Sequence, residues 1–155
     1  MLIKDPMNKT IQKQLHTFFR DVTAMGGFAA SLLIILLFLW SPLLIPLIAG
    51  SVLSAALVIL IRIFYFKPRP KKEEYANLLE KIDASAFPSL HAARIVFMAI
   101  LFSGHFANHY LTILFAFTAA LVSYSRIYLQ KHDWIDLAGG VVVGVATYFI
   151  IIKIF

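Results

Sequence analysis

Apolar residues in this chain fall into long runs broken by a few short polar stretches. No formal charge occurs from Val22 to Ile61. About 20 apolar residues suffice to cross a bilayer, so this region predicts two spans, approximately Val22 to Trp40 and Leu43 to Phe66. Trp40-Ser41-Pro42 marks the turn, with Pro46 just inside the second helix and Trp40 at the membrane interface. A second charge-poor region, from Pro88 to Tyr124, is interrupted by Ser103-Gly104-His105 and Asn108-His109. It predicts two more spans, about Ser89 to Phe106 and Tyr110 to Tyr128. Gln130 to Asp133 then makes a tight polar loop, and a last span runs from about Trp134 to Phe155.

Two segments are amphipathic instead. Between Asn8 and Arg20, Ile11, Leu15, Phe18 and Phe19 recur at helical spacing with lysines opposite. This segment reads either as a helix lying on the membrane surface or as the polar approach to the first span. Lys67 to Ala86 is the longest polar stretch, and within it Tyr75, Leu78, Leu79 and Ile82 predict one face of a short helix covering a site. Glu73 and Glu74 read as solvated loop charges. The expected architecture is all-α, an integral-membrane helical bundle of about five transmembrane helices. It is expected to form one domain over residues 1–155, with residues 1–21 as a polar, amphipathic N-terminal segment. That polar start, followed by an apolar stretch too long for a signal core, reads as a retained span and not a cleavable signal.

Composition narrows the function classes. The chain has 155 residues, 61% hydrophobic and 14% charged, with mean hydropathy +0.84, far from an ordinary soluble domain. Cysteine is absent, which excludes a disulfide framework, a thiolate zinc site and a cysteine nucleophile. The net charge of +6 sits beside apolar runs, not in a soluble basic stripe with interleaved aromatics. It therefore points to a membrane surface and an anionic lipid headgroup, not to nucleic acid.

Three separated stretches carry the candidate chemistry: Arg62-x6-Arg69-Pro70, Pro88-Ser89-Leu90-His91, and Ser125-Arg126-x5-His132-x3-Asp136. Each lies at the edge of an apolar run, where charge is costly and suggests function. Counting spans brings all three to one face of the membrane. Arginine grips phosphate oxygens with a planar fork of donors, and paired histidines can act as nucleophile and acid. His132 and Asp136, four apart at a helix start, share a face. A carboxylate there can hydrogen-bond one imidazole nitrogen and leave the other to attack phosphorus. Pro88-Ser89 suits a helix start, where the Ser89 hydroxyl and the amides around Leu90 would face a phosphate. No cluster has persuasive metal-ligand spacing. His105 and His109 fall at the opposite end of the third span as interfacial residues. Gly139, Gly140 and Gly144 have the spacing of close helix packing.

The order of these motifs resembles the type-2 phosphatidic acid phosphatase superfamily of integral-membrane lipid phosphatases, over roughly the second half of the chain. The third block matches the family pattern fully. Leu90 replaces a glycine of the second block, and Arg62 replaces a lysine of the first. The resemblance implies the phosphatase/haloperoxidase-like helical bundle, usually with six spans. One helix is then missing at the N-terminus here, its place partly taken by the amphipathic segment. It implies that His132 is the nucleophile, forming a phosphohistidine, that Asp136 orients it, and that His91 protonates the departing lipid oxygen. Arg62, Arg69 and Arg126, with Ser89 and Leu90, would bind the phosphate. Lys67 and Arg94 are expected in support, Arg94 as a headgroup contact or as the partner of Asp136 or Asp83. No metal and no cofactor is implied, because the arginines take a metal's place.

The expected function is hydrolysis of a lipid phosphomonoester or diphosphate of the phosphatidic acid, phosphatidylglycerophosphate or polyprenyl diphosphate class. The partners are the bilayer and that substrate. Two alternatives stand beside it: a lipid phosphotransferase using the same site, and a non-catalytic lipid-binding membrane protein. All but Lys153 of the fourteen lysines and arginines fall on the side of the site. By the positive-inside rule this places the site and N-terminus on the cytoplasmic face of the cell membrane, whereas many family members work on the outer face.

Overall fold

The described residues of a computed structural model, 6–71 and 75–155, form seven helices. Glu73 and Glu74 lie outside the described residues. The elements are α1 (Pro6–Ala24), α2 (Phe28–Leu37), α3 (Leu44–Phe64), α4 (Leu78–Ala84), α5 (Leu90–Phe106), α6 (His109–Tyr128) and α7 (Trp134–Ile154). Among the described residues α3, α6 and α7, of 21, 20 and 21 residues, are each long and apolar enough to cross a membrane. Side chains such as Ile45, Val52, Phe117 and Val142 stand exposed along them, as lipid-facing surfaces require. The protein is an all-α integral-membrane bundle.

α5 is the hub. Its 17 residues make a helix of about 26 Å, shorter than the other spans but the most enclosed, packed on α3, α6 and α7. Phe97, Met98, Leu101 and Phe102 join Leu43, Leu47 and Ile151 in the main core. Gly50 on α3 leaves room for the Phe97 ring, whose nearest atom would lie 1.9 Å from an added Cβ. The glycines of α7 work the same way. A Cβ on Gly140 would meet the Ser89 carbonyl oxygen at 2.6 Å, and one on Gly144 the Ala93 carbonyl oxygen at 2.5 Å. The close packing expected of Gly139, Gly140 and Gly144 is thus realised against α5 and the residues leading into it.

The first predicted span differs from expectation. Instead of one helix from Val22 to Trp40, α1 ends at Ala24 and α2 begins at Phe28, with a bend of 49° between them. The physical reason is Gly26-Gly27, where an added Cβ on Gly26 would lie 2.8 Å from Val122 and 3.3 Å from His91. The helix axis can turn there because nothing but backbone occupies the space. α1 packs along α6, with Phe19 against Tyr124 and Tyr128 at 5.7 and 4.3 Å between ring centroids. The bent pair counts as a fourth apolar path, against the five spans expected, and α5 is an apolar helix shorter than these. At the far end of the bundle, the α5–α6 turn places His105 and His109 beside Phe106 and Tyr110.

Candidate active site

The third motif folds around a reversal of the chain. α6 ends at Tyr128, Gln130 takes a left-handed φ of 55°, and the amides of Lys131 and His132 both donate back to the Arg126 carbonyl at 3.0 and 3.3 Å. α7 then starts with a reciprocal cap. The Asp133 side chain accepts from the Asp136 amide at 3.0 Å, and the Asp136 side chain accepts from the Asp133 amide at 2.9 Å. His132 is thereby held, 2% exposed, between the end of one span and the start of the next.

Asp136 is fully buried, and its second oxygen accepts from Lys67 Nζ at 2.8 Å, while Lys67 also donates to Asp133 at 2.6 Å. His132 Nδ1 and Asp136 Oδ2 lie 3.7 Å apart. That is within ion-pair range but longer than a hydrogen bond, and Nδ1 is a buried atom without a partner. The expected pair is therefore adjacent but not bonded, because the helix cap and Lys67 already claim the carboxylate. Burial alone would lower the Lys67 ammonium, but its hydrogen bonds to Asp133 and Asp136 hold it above the ordinary lysine range. Burial first, and then the positive fields of Arg126, Arg69 and Arg62, push the His132 imidazole down to about 2; a backbone hydrogen bond with Ala86 opposes the shift without reversing it. The ring is neutral, the form that can act as a nucleophile.

The second motif is tied directly to the third. Ser89 donates its amide to the Asp136 carbonyl at 3.0 Å, and its hydroxyl caps α5 by accepting from the Ala92 amide at 3.4 Å. Its side chain is thus engaged in the cap and fully buried. Leu90 has helical backbone as the first residue of α5, and the positive-φ residues among those described are Ala107 and Gln130. No glycine-only angle is required at this position, and the Leu90 side chain packs toward Val58, Ala93 and Val143. His91 follows, half-buried beside Gly26 and Gly27, with Arg126, Arg94, Arg69 and Arg62 all acting on it electrostatically.

The arginines come from three directions. Arg62, at the end of α3, spreads its fork over the chain that leads from α4 into α5. It donates to the carbonyls of Ile82, Asp83 and Pro88 at 3.3, 3.4 and 2.9 Å. Arg69 donates to the Asp83 carbonyl, and Arg126 to the Thr23 hydroxyl at 3.1 Å. The polar segment is laced back by Ala86, whose amide donates to the Lys67 carbonyl at 2.7 Å. α4 forms as predicted, started by an Asn77 cap on the Glu80 amide. However, Tyr75, Leu78 and Leu79 point to solvent or lipid, so the cover over the site is made by backbone carbonyls and not by an apolar face. Arg94 pairs with neither Asp136 nor Asp83; its guanidinium reaches the Gly26 carbonyl at 3.5 Å.

Sequence reasoning missed two features. Lys67 bridges Asp133 and Asp136 across more than sixty residues, a contact with no local signature. The α1–α2 break brings Thr23 and Gly26 against Arg126 and His91; the Gly26-Gly27 pair inside an apolar run was its visible sign.

Helical spans that converge three arginines on two histidines at one end define a membrane phosphatase type of scaffold. Residues 43–155 match the PAP2 superfamily, and the chain belongs to that superfamily, the type-2 phosphatidic acid phosphatase family its motifs resemble. Among solved structures it is similar to LpxE of Aquifex aeolicus, with a TM-score of 0.76, 25% identity and 99% of each chain covered. It also shares its fold with a transmembrane PAP2-type phosphatidylglycerolphosphate phosphatase of Bacillus subtilis, at a TM-score of 0.72 and 20% identity, over 91% of this chain and 76% of that one. No curated protein sequence matches it.

Proposed function

We propose that this protein hydrolyses a phosphomonoester or diphosphate on a membrane lipid, without a metal, through a phosphohistidine on His132. The observation that carries the reading is a neutral, buried His132 within the combined field of Arg62, Arg69 and Arg126, with His91 in the same field. The arginines would hold the non-bridging oxygens and stabilise the charge that develops on them. A ring nitrogen of His132 attacks phosphorus, and the bond to the lipid oxygen breaks. Once the phosphate's negative charge offsets the arginines, His91 holds a proton and gives it to that oxygen, and Asp136 answers the positive charge that His132 acquires. Water then attacks the phosphohistidine and passes a proton to His91, releasing phosphate and restoring both imidazoles.

The test is phosphate release from detergent-solubilised phosphatidic acid, phosphatidylglycerophosphate and polyprenyl diphosphate. His132→Ala is expected to lower kcat by about 1,000-fold or more, and Arg126→Ala by about 100-fold or more. Vanadate should inhibit as a mimic of five-coordinate phosphorus, and EDTA should not. Full activity in His132→Ala, or EDTA inactivation reversed by a divalent ion, overturns the mechanism.

A further inference from the structure

Arg94 belongs to none of the three motifs, yet it is 7% exposed within a membrane span. Among the described residues no carboxylate pairs with it. Its one hydrogen bond is the 3.5 Å contact to the Gly26 carbonyl, and its Nε is buried without a partner. An unanswered cation at this depth is costly. Arg94 lines a groove of about 410 Å³ between α2 and α3, whose other walls include Phe28, Leu32, Ile48 and Val52. A second polar atom there, Ser51 Oγ, is also buried and unpartnered. Arg94 follows His91 by three residues on α5, so it lies on the same helix face about 4.5 Å deeper. Its charge acts on His91 directly.

We infer that Arg94 binds an anion on the lipid side of the scissile bond, the inner phosphate of a lipid diphosphate, and so selects diphosphates over monophosphates. This rests on the phosphatase reading above and names the substrate class of that site. The outer phosphate sits among Arg62, Arg69 and Arg126, and the departing oxygen at His91. One bond further along a diphosphate comes the second phosphorus with its negative oxygens, at the level of Arg94. The hydrocarbon chain continues into the apolar groove. The ester carbonyls of a glycerolipid are neutral and would leave the guanidinium without a counter-charge. In the reaction the bond between the outer phosphorus and the bridging oxygen breaks as His132 attacks. The bridging oxygen leaves with its electron pair as part of a lipid monophosphate and takes the proton of His91. Arg94 offsets the charge of that leaving group. Water then releases inorganic phosphate from His132, so one diphosphate and one water give one monophosphate and one phosphate.

Farnesyl diphosphate and farnesyl phosphate share a chain and differ by the inner phosphate, so they isolate its contribution. With wild-type protein the diphosphate should show the higher kcat/KM. Arg94→Met should lower kcat/KM for the diphosphate by about 10- to 100-fold more than for the monophosphate, whose loss reports only the shared effect on His91. Arg94→Lys should recover part of the loss. The retained monophosphate activity reports that the variant folds. Equal loss on both substrates, no loss on either, or a wild-type preference for the monophosphate overturns the assignment. So does a selective loss on phosphatidic acid, which would transfer Arg94 to ester oxygens. A wild-type protein inactive on all three substrates instead sinks the phosphatase reading itself.

Discussion

At the scale of single residues, position matters less than what each side chain is allowed to do. His132 cannot hold a proton in its folded surroundings, whereas an exposed histidine titrates near 6.5. Between that value and about 2 the unfolded chain binds a proton that the folded chain refuses. This contribution to stability is therefore complete above pH 6.5 and is lost as pH falls below it. Thermal unfolding in detergent should show a drop in Tm from pH 7.5 to pH 5 that is smaller in His132→Gln; equal slopes would count against a buried neutral imidazole. The i,i+4 spacing made His132 and Asp136 legible in the sequence, but their bonding was not. Asp133 and Asp136 also form a helix cap, and Lys67 arrives from a distant loop, so three groups compete for one carboxylate. The Arg62-for-lysine exchange likewise gains a reason only in three dimensions. A guanidinium can reach three backbone carbonyls at once, and an ammonium lacks the fork to do so with the same reach.

At the scale of elements, hydrophobic runs specified α3, α5, α6 and α7 to within a residue or two of their observed ends, because lipid and core both demand apolar helices of a set length. The bend between α1 and α2 was not legible from hydropathy, which is insensitive to a pair of glycines. Helix contact through small residues leads to a sharper expectation at α7. In Gly140→Ala the new methyl would press on the Ser89 carbonyl oxygen, a backbone atom that also caps the next helix through the Ala93 amide. α7 must then retreat from α5, carrying Asp136 with it. We expect a destabilisation of about 1–3 kcal/mol and a loss of kcat well beyond that of an exposed control such as Val142→Ala, with helical circular dichroism unchanged. Wild-type kcat in Gly140→Ala would show that the α5–α7 spacing does not set the site.

At the scale of the whole molecule, the two ends of the bundle differ in charge. Gln12 and His16 of α1 line a surface pocket with Lys71 and Gln130, so the N-terminal helix shares its side with the site. Lys67 and Lys131 are there too, while Lys153 lies in the last turn of α7 at the other end. Lysine and arginine near span ends favour the cytoplasm, so the site and α1 are expected to face inward in the cell membrane. The chain has no cysteine, which makes Lys9→Cys and Lys81→Cys clean reporters. Both should resist a membrane-impermeant thiol reagent in intact cells and react after permeabilisation; labelling of both from outside would reverse the orientation.

The bend at Gly26-Gly27 has an evolutionary side. The stretch matching the superfamily begins at residue 43, yet Thr23 and Gly26 touch Arg126 and His91 from ahead of it, and α2 forms one wall of the groove that Arg94 lines. The proposed reacting groups thus lie within the matched stretch, and part of the wall around them comes from residues ahead of it. A change at Gly26-Gly27 would therefore reshape the approach to His91 and Arg94 while leaving all three motifs intact.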